Sequence, residues 1–482
     1  MDQITQNISE LFARYSQETI LSINKIPQSG SIRIYYRILT SKGSYIATHG
    51  INIKENLSFI QFSRHFKTKQ CPVPEIWAVN TEGTIYIQED FGDVSLLNRL
   101  EEAGPTTEIF ELFKQSLREL AHLQIQGDAG LDYENWCLTS SEFGRQAIMS
   151  DLLYFKYYFL DTLQLPYDKE KLIADFETFS STLGNAALKY FMFRDFQSRN
   201  ILIENGKVHF IDYQGGMKGA LQYDLASMLW QAKAELSESW KQDLLEYYMD
   251  CVEKELSHSI DKNLFVQQYH GYVLIRLMQV LGAYGFRGLF ERKAHFLVSI
   301  PLGLKNLRSF LHQFPLERGI PEFQRILHLI VEDQIIARFI PPRADANTPL
   351  VVHINSFSYR RSIPADTSDN GGGFVFDCRA IVNPGRLGTF KSQTGRDKGV
   401  KDFLEQQTKM PEYLNSVFDL VDISVEEYIR RGFKSLMVSF GCTGGQHRSV
   451  YAADALARHL KNKFGVSVKL QHLEQESKDW KN

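Results

Sequence analysis

Cysteine is scarce and scattered, with five in 482 residues at Cys71, Cys137, Cys251, Cys378 and Cys442. An odd number at wide spacing excludes a small disulfide framework, and no pair stands at zinc-ligand spacing. No stretch approaches 18 uninterrupted apolar residues, so no membrane-crossing helix is expected. The opening Met1-Asp2-Gln3-Ile4 shows no basic patch leading into an apolar run, which predicts no signal peptide and a reducing cytoplasm as the location. Internal repeats and low-complexity tracts are missing as well. Nor is there a strong charge of one sign: the formal net charge is −3. From Pro349 onward 19 Lys+Arg face 15 Asp+Glu, an excess that suits phosphate ligands and RNA only weakly, while the preceding part is acidic. What remains is the composition of a globular chain, 43% apolar and 23% charged, with room for about three folding units.

Residues 20 to 90 read as strands with one helix. Ile32, Ile34, Tyr36 and Ile38 alternate with Arg33, Tyr35 and Arg37, a period-two strand. Ser41 to Ser44 is a turn into a returning strand, Leu57 to Phe66 is helical with Phe59, Phe62 and Phe66 on one face, and Thr84 to Gln88 is another strand. From about residue 106 to 338 the pattern is helical, apart from a strand insert between Phe191 and Tyr213. The polar, proline-bearing stretch 340–349 reads as a linker, and beyond it strands and helices close with a strand–loop–helix unit from Lys434 to Leu460.

Within the strand insert, Phe193-Arg194-Asp195-Phe196-Gln197-Ser198-Arg199-Asn200 is followed by a hairpin ending at Ile211-Asp212. Phosphoryl transfer needs a carboxylate to orient the attacking hydroxyl and take its proton, and oxygen ligands for magnesium on the phosphates. Asp195 suits the first task; Asn200 and Asp212 suit the second, since magnesium prefers oxygen donors and uses few protein ligands. A helix-capping role would explain Asp195 or Asn200 singly, but not the set. These residues, with Tyr223-Asp224-Leu225-Ala226, resemble the catalytic segment of the aminoglycoside phosphotransferase and choline kinase group. The resemblance implies a bilobal protein-kinase-like fold, with residues 1–92 as N-lobe and 93–339 as C-lobe, ATP and Mg2+ as cofactors, and Asp224 bracing the catalytic loop. It also implies that Glu89, Asp90 and Phe91 form the hinge against adenine, and that Gly30 and Ser31 lie in the loop over the phosphates. The strand lysine that this group sets on the phosphates is not evident: Ala47-Thr48-His49 stands in its place, leaving Glu55 without a lysine partner. Arg33 or Arg37 is the candidate replacement, the alternative being that both face solvent from a strand.

Ser31 to Arg37, Val73-Pro74-Glu75-Ile76 and Arg276 to Gly282 are further similar to anomeric N-acetylmuramate/N-acetylglucosamine kinases of AmgK type, over about residues 15 to 312. That resemblance implies an amino-sugar substrate phosphorylated at its anomeric hydroxyl, which is more acidic than an ordinary alcohol. Asp151 and Arg276 are candidate substrate contacts, against a solvated helix position for Asp151 and a structural ion pair for Arg276.

The buried-strand pattern Ser435 to Phe440 leads into Gly441-Cys442-Thr443-Gly444-Gly445-Gln446-His447-Arg448-Ser449 and then a helix. Glycines that turn N–H groups inward, a helix N-terminus and Arg448 together predict an anion site, with His447 adding charge at lower pH. Cys442 and Arg448 also stand at the Cys-x5-Arg spacing of cysteine-dependent phosphatases, in which a thiolate attacks phosphorus. The loop, with Asn355 to Tyr359, Phe374 to Arg379 (including Asp377), Asn383-Pro384 and Thr394-Gly395, resembles the C-terminal domain of the RNase adapter RapZ family over about residues 350 to 475. This implies an α/β domain at 350–482 that senses a phosphorylated amino sugar, glucosamine-6-phosphate in that family, and a possible RNA partner. Gly385-Arg386 stand where the family has a His after Asn-Pro, which puts the RNA role in doubt. The whole is thus expected as an α/β and α+β multidomain chain, either a sugar kinase with a phosphosugar sensor or, alternatively, a regulatory binding protein with a degenerate kinase domain.

Overall fold

Alternating apolar residues fold the start of the chain into β1 (Ile20–Lys25), β2 (Ile34–Thr40) and β3 (Ser44–His49), joined at the expected turn where the Thr40 N–H donates to the Gly43 carbonyl at 2.9 Å. This computed structural model describes residues 3–26, 33–291, 294–314, 316, 319–366, 368 and 372–476. Ile32, Gly30 and Ser31 lie outside the described residues. With β4 (Ile76–Val79) and β5 (Ile85–Glu89), these strands form an antiparallel sheet in the order β1-β2-β3-β5-β4. A helix that the sequence pattern did not reveal, Gln3–Tyr15, packs Ile8, Leu11 and Phe12 on one face of the sheet. The helix Ile53–Thr68 is capped by Asn52 and buries Phe59, Phe62 and Phe66 as their spacing predicts.

The following segment is largely helical, with long helices Thr107–Asp128, Glu238–Leu256 and Lys262–Tyr284. The strand insert is wider than its sequence signal. β6 (Lys189–Met192) pairs with β9 (Met217–Ala220), and between them β7 (Ile201–Glu204) and β8 (Lys207–Phe210) form a hairpin. Among the described residues, Lys262–Phe290 is long and apolar enough to cross a membrane by length and composition alone. More than half of its most apolar 18-residue window is buried, its residues Tyr272, Leu274, Ile275 and Leu277 pack inside the unit, and it carries Arg276 to the site described below.

The chain divides into two compact units, the first spanning 1–291 and 295–336, the second 337–482 together with 292–294. The stretch read as a linker is fastened to the second unit, where the Ala344 N–H donates to the Phe464 carbonyl at 2.7 Å. That unit is a parallel sheet in the order β11-β12-β10-β13, from β10 (Val351–Ser358), β11 (Gly373–Asp377), β12 (Ser435–Cys442) and β13 (Ser467–His472). Helices Lys398–Gln407, Met410–Arg431 and Arg448–Phe464 contribute to its core, with Val352, Ile354, Val438 and Phe440 from the strands. The edge strand β13 was not expected, and β12 runs on through Cys442, which the sequence placed in the loop. Parallel strands of this kind present their ligand crevice at their carboxyl ends, and there Asp377 on β11 lies level with Gly441 on β12.

Candidate functional site

The catalytic loop of the first unit is held from behind by one carboxylate. Asp224, fully buried, accepts the backbone N–H of Phe193 at 2.7 Å and of Arg194 at 2.9 Å, and the side-chain amide of Gln124 at 2.8 Å. Burial pushes its carboxyl up to about 7 despite those three donors. The bracing is needed because Arg194 sits at φ +82° and Asp212 at φ +71°, conformations that cost a non-glycine residue about 1–3 kcal/mol each. Phe193 is fully buried and packs edge-on against Phe196, Phe210 and Tyr213. Tyr213 in turn stacks on Phe59 and shares a 2.5 Å hydrogen bond with Ser63, which ties the segment after Asp212 to the helix Ile53–Thr68.

Arg33, the candidate replacement for a strand lysine, lies between Glu55 and Asp212. Its guanidinium is 4% exposed, 3.3 Å from Glu55 Oε1 and 3.1 Å from Asp212 Oδ1. The surrounding carboxylates and tyrosines raise its pKa further. Arg33 therefore does not face solvent, and neither does Arg37, which grips Asp90 at 2.7 Å and Asp93 at 2.6 Å across the hinge. The Asp90 and Glu89 side chains are committed within the protein, Asp90 to Arg37 and Glu89 to Lys67 at 3.2 Å, so the hinge has only its backbone and Phe91 to offer a base. Phe91 stacks on His209 with ring centroids 3.9 Å apart. Between hinge and catalytic loop lies a pocket of about 240 Å³, lined by Arg33, Ile46, Phe91, Asn200, Leu202, Ile211 and Asp212 among others. Apolar walls beneath a hinge, with Asn200 and Asp212 at the far end, suit a flat base and a chain of phosphates.

Two oxygens remain for a metal in this cleft. The Asn200 amide NH2 donates to the Asp195 carbonyl at 2.9 Å, leaving Oδ1, and Asp212 uses Oδ1 for Arg33 and Gln214, leaving Oδ2 without a hydrogen bond among the described residues. This is an oxygen-only donor pair of the kind magnesium takes. Asp195 itself is 29% exposed and surrounded by cations: Arg276 donates to Oδ1 at 2.7 Å and Arg199 to Oδ2 at 3.0 Å. Though burial opposes it, these two guanidinia hold the carboxyl below the ordinary aspartate range. Asp151 is not a solvated helix residue but is buried and accepts from Arg194 at 2.7 Å, while Arg276 contacts Asp195 and Gln279. Both supposed substrate contacts are thus turned onto the catalytic loop. Sequence reasoning left Arg194, Tyr223 and Arg199 without roles, yet Arg194 and Arg276 both lie over the ring of Tyr223 and reach its hydroxyl.

In the second unit the loop after β12 is held by its own side chains. Arg448, 4% exposed, donates through Nη1 to the carbonyls of Arg379 at 3.0 Å and Ile381 at 2.7 Å and through Nη2 to Thr443 Oγ1 at 3.3 Å, while its buried Nε has no hydrogen-bond partner among the described residues. His447 is buried against the Phe390 carbonyl at 2.8 Å, and that burial lowers its pKa from the ordinary value, which opposes its taking on charge. Cys442 is 2% exposed with Sγ 3.1 Å from Ser449 Oγ, poorly placed to attack a ligand. Gln446 donates to the carbonyls of Lys391 and Gln393, and Asp377 clasps Arg379 beside the loop. Gly445 stands at φ +65° with Glu474 where a Cβ would go, which explains a glycine there. What the loop leaves open are backbone donors: the N–H groups of Thr443 to His447 have no acceptor among the described residues.

Comparison with known proteins agrees with both halves. Residues 23–255 match the phosphotransferase enzyme family and residues 350–476 the RapZ C-terminal domain. A nucleotide-binding protein of Fervidobacterium nodosum is 32% identical over 194 residues, covering 38% of this chain and 66% of that protein. The nucleotide-binding protein FN1089 of Fusobacterium nucleatum is 31% identical over 215 residues, 42% of this chain and 69% of that protein. A third, from Solibacter usitatus, is 37% identical over 123 residues, 26% of this chain and 37% of that protein. The chain thus spans 37% to 69% of these relatives' length. Among solved structures, choline kinase LicA from Streptococcus pneumoniae aligns at 14% identity and TM-score 0.43 over 64% of this chain and 100% of that one. Amicoumacin kinase hAmiN, in complex with AMP-PNP and Ca2+, aligns at 11% and 0.45 over 69% and 93%. The first unit has the protein-kinase-like fold of the phosphotransferases, and the second is a parallel-sheet α/β domain.

Proposed function

The chain belongs to the RapZ-like nucleotide-binding proteins, its second unit matching the RapZ C-terminal domain and its first the phosphotransferase family; on that premise we propose that it transfers the γ-phosphoryl group of ATP to the anomeric hydroxyl of an N-acetylated amino sugar in the cytoplasm. The observation that carries this is the meeting of Asn200 and Asp212 at one pocket, with Asp195 against Asn200 and with Arg33 bridging Glu55 and Asp212 where a lysine is missing. Asp195 orients the acceptor hydroxyl and takes its proton. Asn200 Oδ1 and Asp212 Oδ2 would hold Mg2+, which when bound neutralises phosphate charge. Arg33 adds a fixed positive charge at the phosphate end, and the apolar pocket walls exclude water from the base. A carboxylate of low basicity suits an acidic hydroxyl such as the anomeric one. In the second unit, the open N–H groups of Thr443 to His447 favour a phosphosugar sensor over a cysteine phosphatase, since Cys442 is buried and Arg448 is already engaged.

A panel of sugars with ATP and Mg2+, read by phosphorus NMR, tests the kinase. A free N-acetylhexosamine should yield a sugar 1-phosphate, its methyl glycoside should be inert, and Asp195→Asn should lose transfer while still binding ATP. Equal phosphorylation of the methyl glycoside would move the reaction to another hydroxyl. Calorimetry of the full chain with glucosamine-6-phosphate, beside a phosphate-release assay, tests the second unit: binding without release supports a sensor, and release that depends on Cys442 refutes it.

A further inference from the structure

One wall of the nucleotide pocket carries an amide that nothing holds. Residues of β5 alternate: Ile85 and Ile87 turn into the core beneath the helix Gln3–Tyr15, and Tyr86 and Gln88 turn the other way. Both of the latter line the pocket of about 240 Å³, and so does Ile46, which stands opposite Gln88 on β3. Tyr86 is explained by its packing on Phe59, with ring centroids 5.5 Å apart. Gln88 is not explained by any such contact. It is 7% exposed, its buried Oε1 has no hydrogen-bond partner among the described residues, and neither has its Nε2. Of the side chains that line the pocket with it, Ile46, Phe59, Leu202 and Ile211 are apolar, while Arg33 and Arg37 are committed to carboxylates. A buried amide left unpaired costs stability, and native proteins keep few of them.

The position of Gln88 gives the reason. It directly precedes the hinge Glu89-Asp90-Phe91, where the Phe91 N–H also has no acceptor among the described residues. A free backbone donor and a free amide on one pocket wall match one edge of adenine, which carries an acceptor at ring nitrogen N1 and, beside it, the donor amino group at position 6. We propose that Gln88 reads the base in this pocket, its amide oxygen accepting from the 6-amino group of adenine. The proposal rests on the kinase function of this site and adds to it the residue that sets the choice of base. Since neither end of the amide is held, it can turn its oxygen to the base on binding. A base without the amino group leaves the amide buried and unpaired, and a site built around a hydrogen bond rejects the analogue that lacks it. An apolar side chain in the same place would take both bases alike.

The test is calorimetry on the full chain with Mg2+ and two ligands, ADP and purine riboside 5′-diphosphate, which differ only in the 6-amino group and carry no phosphoryl group to transfer. Wild type should bind ADP about 5- to 150-fold more tightly than the analogue, the range that one orphaned buried amide sets. Gln88→Met keeps the length of the side chain and removes its polar atoms. In it the two affinities should come within about twofold of each other, through loss of ADP affinity and not gain of the analogue's. Gln88→Leu should behave in the same way, so the outcome does not hang on one variant's packing. Wild-type affinities already within about twofold overturn the proposal, and so does a preference for ADP that both variants keep in full. Failure of the kinase function itself looks different: neither diphosphate then binds wild type, and the proposal falls with it.

Discussion

Replacing Arg33 is the sharpest probe of the nucleotide cleft. Its guanidinium stands 3.3 Å from Glu55 and 3.1 Å from Asp212, itself almost wholly buried. At an effective dielectric near 20, a unit charge pair at such distances attracts by about 5 kcal/mol, but Asp212 is 38% exposed and water screens part of that. A charge-assisted hydrogen bond net of solvation, about 1.5–3 kcal/mol, is the better measure of what Arg33→Ala removes from Asp212 and from the bound phosphates. Nucleotide affinity, read by calorimetry with a non-hydrolysable ATP analogue and Mg2+, should therefore fall by about 10- to 150-fold. Arg33→Lys should recover only part of this, because an ammonium cannot bridge two carboxylates as a planar fork does. Glu55→Ala should weaken binding in wild type and add little in the Arg33→Ala background, a coupling that a double-mutant cycle reads directly. An Arg33→Ala protein within twofold of wild type, with no coupling to Glu55, would refute the assignment of Arg33 as the lysine's replacement.

Asp224→Ala orphans the N–H groups of Phe193 and Arg194, at about 1–3 kcal/mol each, so kcat should collapse and the melting temperature of the first unit should drop while ATP affinity changes less. Arg448→Ala uncovers the carbonyls of Arg379 and Ile381 and should destabilise the second unit by roughly 2–5 kcal/mol, seen as faster thiol labelling of the buried Cys378 and Cys442 in denaturant. Arg379→Ala, at an exposed position, should not do so. His447 has its folded-state pKa lowered below the ordinary 6.5 by burial, so its contribution to stability is complete above that value and is lost as pH falls below it. The same labelling assay should show the second unit opening more easily at pH 5 than at pH 7, with a shallower dependence in His447→Gln; an equal slope would clear His447 of the effect.

That Asp195, Asn200 and Asp212 come close together was legible because they sit in one loop and hairpin, and Asp224, on the helix Gln222–Leu229, joins them from behind. Arg33 was not, since its partner Asp212 lies 179 residues away and a strand residue's face is set by what packs over it. Arg276 and Asp151 failed as substrate contacts for a related reason. Residue type announces what a side chain can bind, but Arg276 finds Asp195 and Asp151 finds Arg194 inside the protein before any ligand arrives. The second unit repeats the lesson. Cys-x5-Arg spacing is blind to the carbonyls of Arg379 and Ile381, which belong to another segment and claim Arg448. Burial decides these cases: a guanidinium that is 4% or 5% exposed, as in Arg33, Arg276 and Arg448, finds partners inside the protein, and Arg33 also lines the pocket beneath the hinge.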